Sequence, residues 1–196
     1  AVYHGPEGIR TIAERIHSIA VFLEESINRL GYKQVNAQYF DTLRFALPDT
    51  ISAQQIRTIA LSKEVNLRYF KNGDVGMSID ETTDITAVNV LLSIFAIAAG
   101  RDWEKASDVP MASSISAEMK RQSTYLTHEV FNKYHTETEM MRYIKRLDRK
   151  DISLAHSMIS LGSCTMKLNA AAEMLPLSRP EFMNMHRRTR PKVTAN

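Results

Sequence analysis

The chain has a single cysteine, Cys164, in 196 residues, so an internal disulfide is excluded and a reducing compartment such as the cytosol fits best. One thiol and six histidines, none of them paired at i, i+4, also exclude the usual zinc patterns. Glycine is scarce and scattered: the seven glycines form neither GxGxxG nor GxxxxGK, and no Gly-x-Ser-x-Gly elbow occurs. Long apolar runs are lacking too. The longest, Val88 to Ala99, is interrupted by Asn89 and Ser93 and is too short to span a bilayer. The first residues show no charged-then-apolar leader, so neither a targeting segment nor membrane association is expected.

What is present is an ordinary globular balance, 44% hydrophobic and 24% charged, enough for one sizeable domain and a second partial one. The net charge of +3 is concentrated at one end. Arg187, Arg188, Arg190 and Lys192 lie in the final stretch, and removing those four cations takes +3 to −1. The body is therefore not basic, the tail reads as a solvated end, and no nucleic-acid partner is expected.

Apolar residues from Ile9 through Ile12, Ile16, Ile19, Leu23, Ile27 and Leu30 follow helical spacing between Pro6 and Gly31. Thr42 to Leu47 alternates as a half-buried strand and stops at Pro48. Ser52 with Gln55 predicts a capping box for a helix reaching about Lys63. Leu67 to Phe70 and Val75 to Ile79 flank Asn72-Gly73, a strong hairpin signal. Thr83 is expected to cap a helix from Asp84 to Ala99, closed by Gly100. The order helix, strand, helix, strand, strand, helix predicts an α+β domain with a small, largely antiparallel sheet covered by helices.

The pattern weakens from Arg101 to about Thr127, with a short helical candidate ending near Arg121. Thr136 and Glu139 make a second capping box, followed by apolar Met140, Met141, Tyr143, Ile144 and Leu147. A short helix is expected around Leu168 to Met174. The division read from this is a small α+β domain over 1–110, a helical linker over 111–135 and an extended, incomplete arm over 136–196. The last third has apolar and many methionine residues but no second sheet to bury them, as in an arm that needs a partner.

The densest chemistry lies between His156 and Ala170, where Gly162, Ser163, Cys164, Thr165, Lys167 and Asn169 are flanked by Met158, Ile159, Met166 and Leu168. Cys164 is either a nucleophile or a small packed hydrophobe. Lys167 is either an anion ligand or Schiff-base lysine, or an exposed cation. His135, beside Thr136, Glu137 and Glu139, is either a base or a helix-entry residue. No reaction is named by these residues alone.

Taken whole, Leu154 to Asn169 resembles a signature of the glycine dehydrogenase (decarboxylating) family, the P-protein of the glycine cleavage system. Ala1 to Arg10, Thr127-His128 with Val130-Phe131-Asn132, and Tyr134 to Met140 with Arg142-Tyr143 resemble the same family in the same order. The resemblance implies a pyridoxal-phosphate enzyme of the fold-type I, aspartate aminotransferase-like class, built from two related halves. Such an enzyme decarboxylates glycine and passes the aminomethyl group to the lipoyl group of the H-protein. This chain would be an internal piece: the small domain closing the first half, the connection, and the N-terminal arm of the second half.

By the same motif match, Ser163, Cys164, Thr165, Lys167 and Asn169 would line the active-site cleft or the lipoyl-arm path, without acting as covalent catalysts. The family's Schiff-base lysine follows a histidine, and no lysine here does. Glu129 and Ser160 stand where the family usually has proline, and the resemblance stops after His186. Implied partners are the lipoylated H-protein, the remainder of the P-protein and a further copy in a homo-oligomer. The implied cofactor is pyridoxal phosphate in the full enzyme, with none on this piece, and the implied location is bacterial cytoplasm or mitochondrial matrix. The alternatives are a non-catalytic assembly or dimerisation module, or the small domain of another pyridoxal-phosphate enzyme.

Overall fold

In a computed structural model, which describes residues 1–152 and 171–183, the N-terminal two thirds are built around two long helices and a four-stranded sheet. Helix α1 (Gly5–Arg29) takes the predicted spacing, with Pro6 in its first turn, where a missing N–H breaks no helical bond. It buries Ile19, Ala20, Leu23 and Ile27. Gly31, at φ +100, turns the chain out of the helix in a conformation that disfavours side chains. Helix α2 (Ala53–Ser62) and helix α3 (Ile85–Ala99) follow the predicted hairpin order, and Gly100 closes α3 in the left-handed region.

The sheet consists of β1 (Lys33–Gln34), β2 (Thr42–Ala46), β3 (Arg68–Tyr69) and β4 (Val75–Ser78), in the order β1-β2-β4-β3, antiparallel throughout. Strand β2 shows the period of two. Leu43 and Phe45 are fully buried while Thr42 and Arg44 point the other way, and their partners Met77 and Val75 on β4 join the same cluster. Helix α1 packs on β1, β2 and α3, and α3 packs on α2. The centre is aromatic: Tyr32 and Phe95 meet edge to face with centroids 5.0 Å apart, and Phe45 lies 5.7 Å from Phe95. The Tyr32 hydroxyl donates to the Phe95 carbonyl at 2.8 Å. Burial pushes that phenol up to about 12, with Arg101 pulling the other way.

Three local expectations are corrected and one strand is added. Ser52 does accept from the Gln55 N–H, but the Gln55 amide donates to the Ala98 carbonyl of α3, so the capping box is only half made. Asp84, not Thr83, caps α3 by accepting from Ala87 N–H, while the Thr83 hydroxyl bonds Asp80. Strand β1 was not foreseen, since two residues carry no periodicity. The stretch 111–135 holds only two three-residue 3-10 turns, Ala117–Met119 and Glu129–Phe131, and no α-helix.

What holds the irregular stretch is a row of side chains on the helices. The Asn89 amide on α3 pairs with both backbone groups of Ala106 at 2.9 Å. The Ser18 hydroxyl on α1 meets Ala112 O at 3.0 Å and Ala112 N–H at 3.1 Å, and the Tyr125 hydroxyl donates to Pro6 O at 2.8 Å. Side chains here supply the partners that a neighbouring strand would otherwise give. The chain divides into two compact units, Ala1–His135 and Thr136–Asn196. In the second, α4 (Glu137–Asp148) begins with the predicted capping box, Thr136 and Glu139 each bonding the other's backbone. Short helices α5 (Ala171–Met174) and α6 (Pro180–Met183) flank a 3-10 turn at Leu175–Ser178.

Candidate functional site

The loop proposed from sequence, with Ser163, Cys164, Thr165, Lys167 and Asn169, lies outside the described residues, as does the basic tail. Other motif residues are described, and the fold brings two of the three remaining motifs together. The His135 ring donates from Nδ1 to the Tyr3 carbonyl at 2.8 Å across 132 positions of sequence. A carbonyl can only accept, so the neutral ring carries its proton on Nδ1 and its lone pair on Nε2. His135 is therefore oriented by the chain's first turn, and the helix-entry and base readings become compatible.

Gly5 is the residue that permits this approach. Its φ is +65, and a Cβ there would stand 2.8 Å from His135 Cε1 and 2.9 Å from Phe131 O. The opposing segment is rigidified locally. The His128 ring accepts from Val130 N–H at 3.1 Å, and the Asn132 amide donates to both Leu126 O and His128 O at 3.2 Å. Glu129 pairs with Lys133 one turn on. The hydrogen bond and charge of Lys133 hold that carboxyl below its ordinary value.

Beside this corner, α1 and residues 111–125 enclose a groove of about 720 Å³ with Ile9, Phe40, Met111, Ile115 and Met119 among its apolar walls. His17, on α1, is 2% exposed; its ring Nδ1 lies 2.8 Å from the Phe40 carbonyl and its Nε2 3.0 Å from the Ser114 N–H. The sequence reading passed over His17. Its signal was its place on the apolar face of α1, one turn from Ala13 and Val21, where a histidine needs partners.

Two further observations bear on the implied cofactor and on metals. Every described lysine is exposed, whereas a lysine that forms an imine is ordinarily desolvated in a pocket; the described residues do not fit covalent attachment of pyridoxal phosphate. Among the described residues no group of three or more His, Cys, Asp or Glu is placed to hold a metal ion, and no described helix is long and apolar enough to cross a membrane.

Comparison with known proteins agrees with the motif reading. The family model described as glycine cleavage system P-protein matches residues 1–95. A glycine dehydrogenase (decarboxylating) of Bacteroides fragilis strain YCH46 is 80% identical over 185 residues, covering 94% of this chain and 20% of that protein. The protein of the same name from Bacteroides thetaiotaomicron is 78% identical over 186 residues, 95% of this chain and 20% of its own length. That from Flavobacterium johnsoniae is 48% identical over 186 residues, 95% of this chain and 19% of its own. The N-terminal 95 residues thus match the glycine cleavage system P-protein family, and the chain, similar to these relatives along nearly its whole length, spans about a fifth of theirs.

Proposed function

We propose that the chain is an internal segment of a pyridoxal-phosphate enzyme that decarboxylates glycine and passes the aminomethyl group to the lipoyl group of the H-protein. The observation that carries this reading is 80% identity to a glycine dehydrogenase (decarboxylating) over 94% of the chain. Residues 1–110 form the small α+β domain closing the first half of a fold-type I enzyme, 111–135 connect the halves, and 136–196 begin the second. The bound cofactor supplies an electron sink for the charge left when carbon dioxide departs. This chain's residues bind and orient around that chemistry: Ser163, Cys164, Thr165, Lys167 and Asn169 line the cleft or the path of the lipoyl arm.

The covalent catalyst belongs to the remainder of the protein, because no lysine here follows a histidine and the described ones are exposed. The segment alone is therefore inactive, and its site is completed by the rest of the P-protein in the cytoplasm. The test is to incubate the purified chain with pyridoxal phosphate and follow visible absorbance and bicarbonate exchange into glycine. Neither is expected from the chain alone, and both are expected from the full-length protein. Exchange by the isolated chain would overturn the assignment.

Helix α4 supports a second, non-catalytic component of this role. It has no buried residue, and Met141, Ile144 and Leu147 are 62%, 49% and 43% exposed. An assembly role for the arm predicts association of the isolated chain. A monomeric elution profile with a protease-resistant arm would count against it.

A further inference from the structure

The groove between α1 and residues 111–125 gathers apolar surface that the rest of the first unit keeps inside. Met111 is 69% exposed, Met119 63% and Phe40 41%, and Ile9 and Ile115 continue the same lining. Of the exposed large hydrophobic residues in Ala1–His135, these three share one concave surface, while Tyr3, Val35, Leu61 and Ile97 lie outside it. A single exposed apolar side chain is ordinary, whereas a contiguous group of them in a groove marks a binding face. Two of the three are methionines, whose unbranched chains adapt to whatever covers them.

The walls are already in place. Ser18 bonds both backbone groups of Ala112, and its hydroxyl lies 3.6 Å from the Met111 sulfur. The Ser114 N–H meets the His17 ring, and at the far end the Tyr125 hydroxyl donates to Pro6 O. Residues 111–125 are thus fastened to α1 at both ends, so an occupant meets a formed groove and loses little in ordering it.

Charge narrows the occupant. On the lining, Arg10 and Glu14 stand 3.9 Å apart and offset each other. Lys120 and Arg121 are exposed and make no ion pair among the described residues. The Arg121 guanidinium is fixed by its Nε, which donates to Ser123 O at 3.3 Å, and by the Tyr125 ring 5.2 Å away. Its terminal N–H groups make no hydrogen bond among the described residues. An apolar floor with two uncompensated cations on its rim suits an apolar segment that carries a carboxylate. The relatives aligned with nearly all of this chain are about five times as long, so most of the surface able to cover this face lies outside it.

We propose that the groove seats an apolar, carboxylate-bearing segment of the same longer polypeptide, an inference that rests on reading this chain as an internal segment. Oxidative footprinting of methionines and carbodiimide cross-linking test it, in the full-length protein and in the 196-residue chain. Met77, 6% exposed, sets the rate of a covered methionine in both. In the chain alone Met111 and Met119 should oxidise freely. In the full-length protein both should slow towards Met77, by up to about tenfold if the rate follows exposure, and Lys120 should cross-link to an aspartate or glutamate outside the chain. Should the chain alone fail to fold, the rates of Met111 and Met119 relative to Met77 within the full-length protein decide. Undiminished oxidation there would overturn the seat. So would protection in the chain alone that is lost on dilution, which marks a second copy as the occupant, or protection that appears only when the H-protein is added. A decarboxylation assay on the same full-length sample keeps the two readings apart: activity with unprotected methionines sinks the seat alone, and protected methionines without activity sink the catalytic assignment alone.

Discussion

Residues 101–135 and helix α4 make opposite bargains with order. The first stretch has almost no regular structure, yet Asn89, His17, Ser18 and Tyr125 fix its backbone against two helices. The second is a regular helix with a complete capping box, yet buries no residue. Regularity is a local property, set by caps and propensity, whereas anchoring comes from tertiary partners. A segment's secondary structure is therefore a poor guide to which part of this chain is held firmly.

The sharpest way to break that comparison is truncation in the core and on α4. Phe95 is fully buried, packs on Tyr32 and Phe45, and offers its carbonyl to the Tyr32 hydroxyl. Phe95→Ala should cost about 3–5 kcal/mol in chemical denaturation. Ile144→Ala, at a position 49% exposed, should move the same transition by no more than about 0.5 kcal/mol in this chain. A large loss from Ile144→Ala would mean that α4 is anchored after all.

Gly5→Ala probes the anchored region from its other end. The added methyl would need φ +65 and would stand 2.8 Å from His135 and 2.9 Å from the Phe131 carbonyl. A loss of about 1–3 kcal/mol is expected, with weakened protection at Phe131 and Asn132 in hydrogen exchange. Unchanged stability would show that the corner yields without cost.

How far the sequence foretold this depends on range. Helices α1, α3 and α4, the Asn72-Gly73 hairpin and the second capping box were legible because each is specified by residues within a turn or two. The mistakes at Ser52 and Thr83 have a common cause. Each polar side chain had two candidate partners, and a neighbour decided: Ala98 drew the Gln55 amide, and Asp80 drew the Thr83 hydroxyl. The anchoring of 101–135 spans 17 to 132 positions, and no local pattern encodes it. Of the candidate site, the family signature was readable as a string, while the clasp at His17 needed the fold.

The alkaline limb of stability reports on the buried phenols of the core instead. Burial pushes Tyr32 up to about 12, and burial followed by donation to Glu24 does the same for Tyr39. Both phenols stay protonated in the folded chain above the ordinary value of 10.0, at which the unfolded chain begins to ionise. Their contribution is complete below 10 and is lost as pH rises towards 12. Tyr32→Phe should flatten that loss in thermal melts between about pH 9 and about 11.

The smallest effect expected is at Glu129, where the resemblance drawn from sequence implies a proline. His128, just before it, has φ −65 and ψ 141, the conformation that a following proline demands. Glu129 opens the 3-10 turn Glu129–Phe131, a position where proline loses no helical hydrogen bond. The backbone is thus already shaped for proline, and the carboxylate adds only its pair with Lys133. Because that pair depresses the Glu129 pKa, its contribution is present above the ordinary carboxylate range and disappears as pH falls through the depressed value. Glu129→Pro should therefore keep the fold and its neutral-pH melting temperature. It should also erase a small, salt-sensitive difference between melts at neutral and acid pH. A marked fall in melting temperature on this substitution would mean that the Glu129 N–H or its ion pair holds the turn, against the backbone geometry on either side of it.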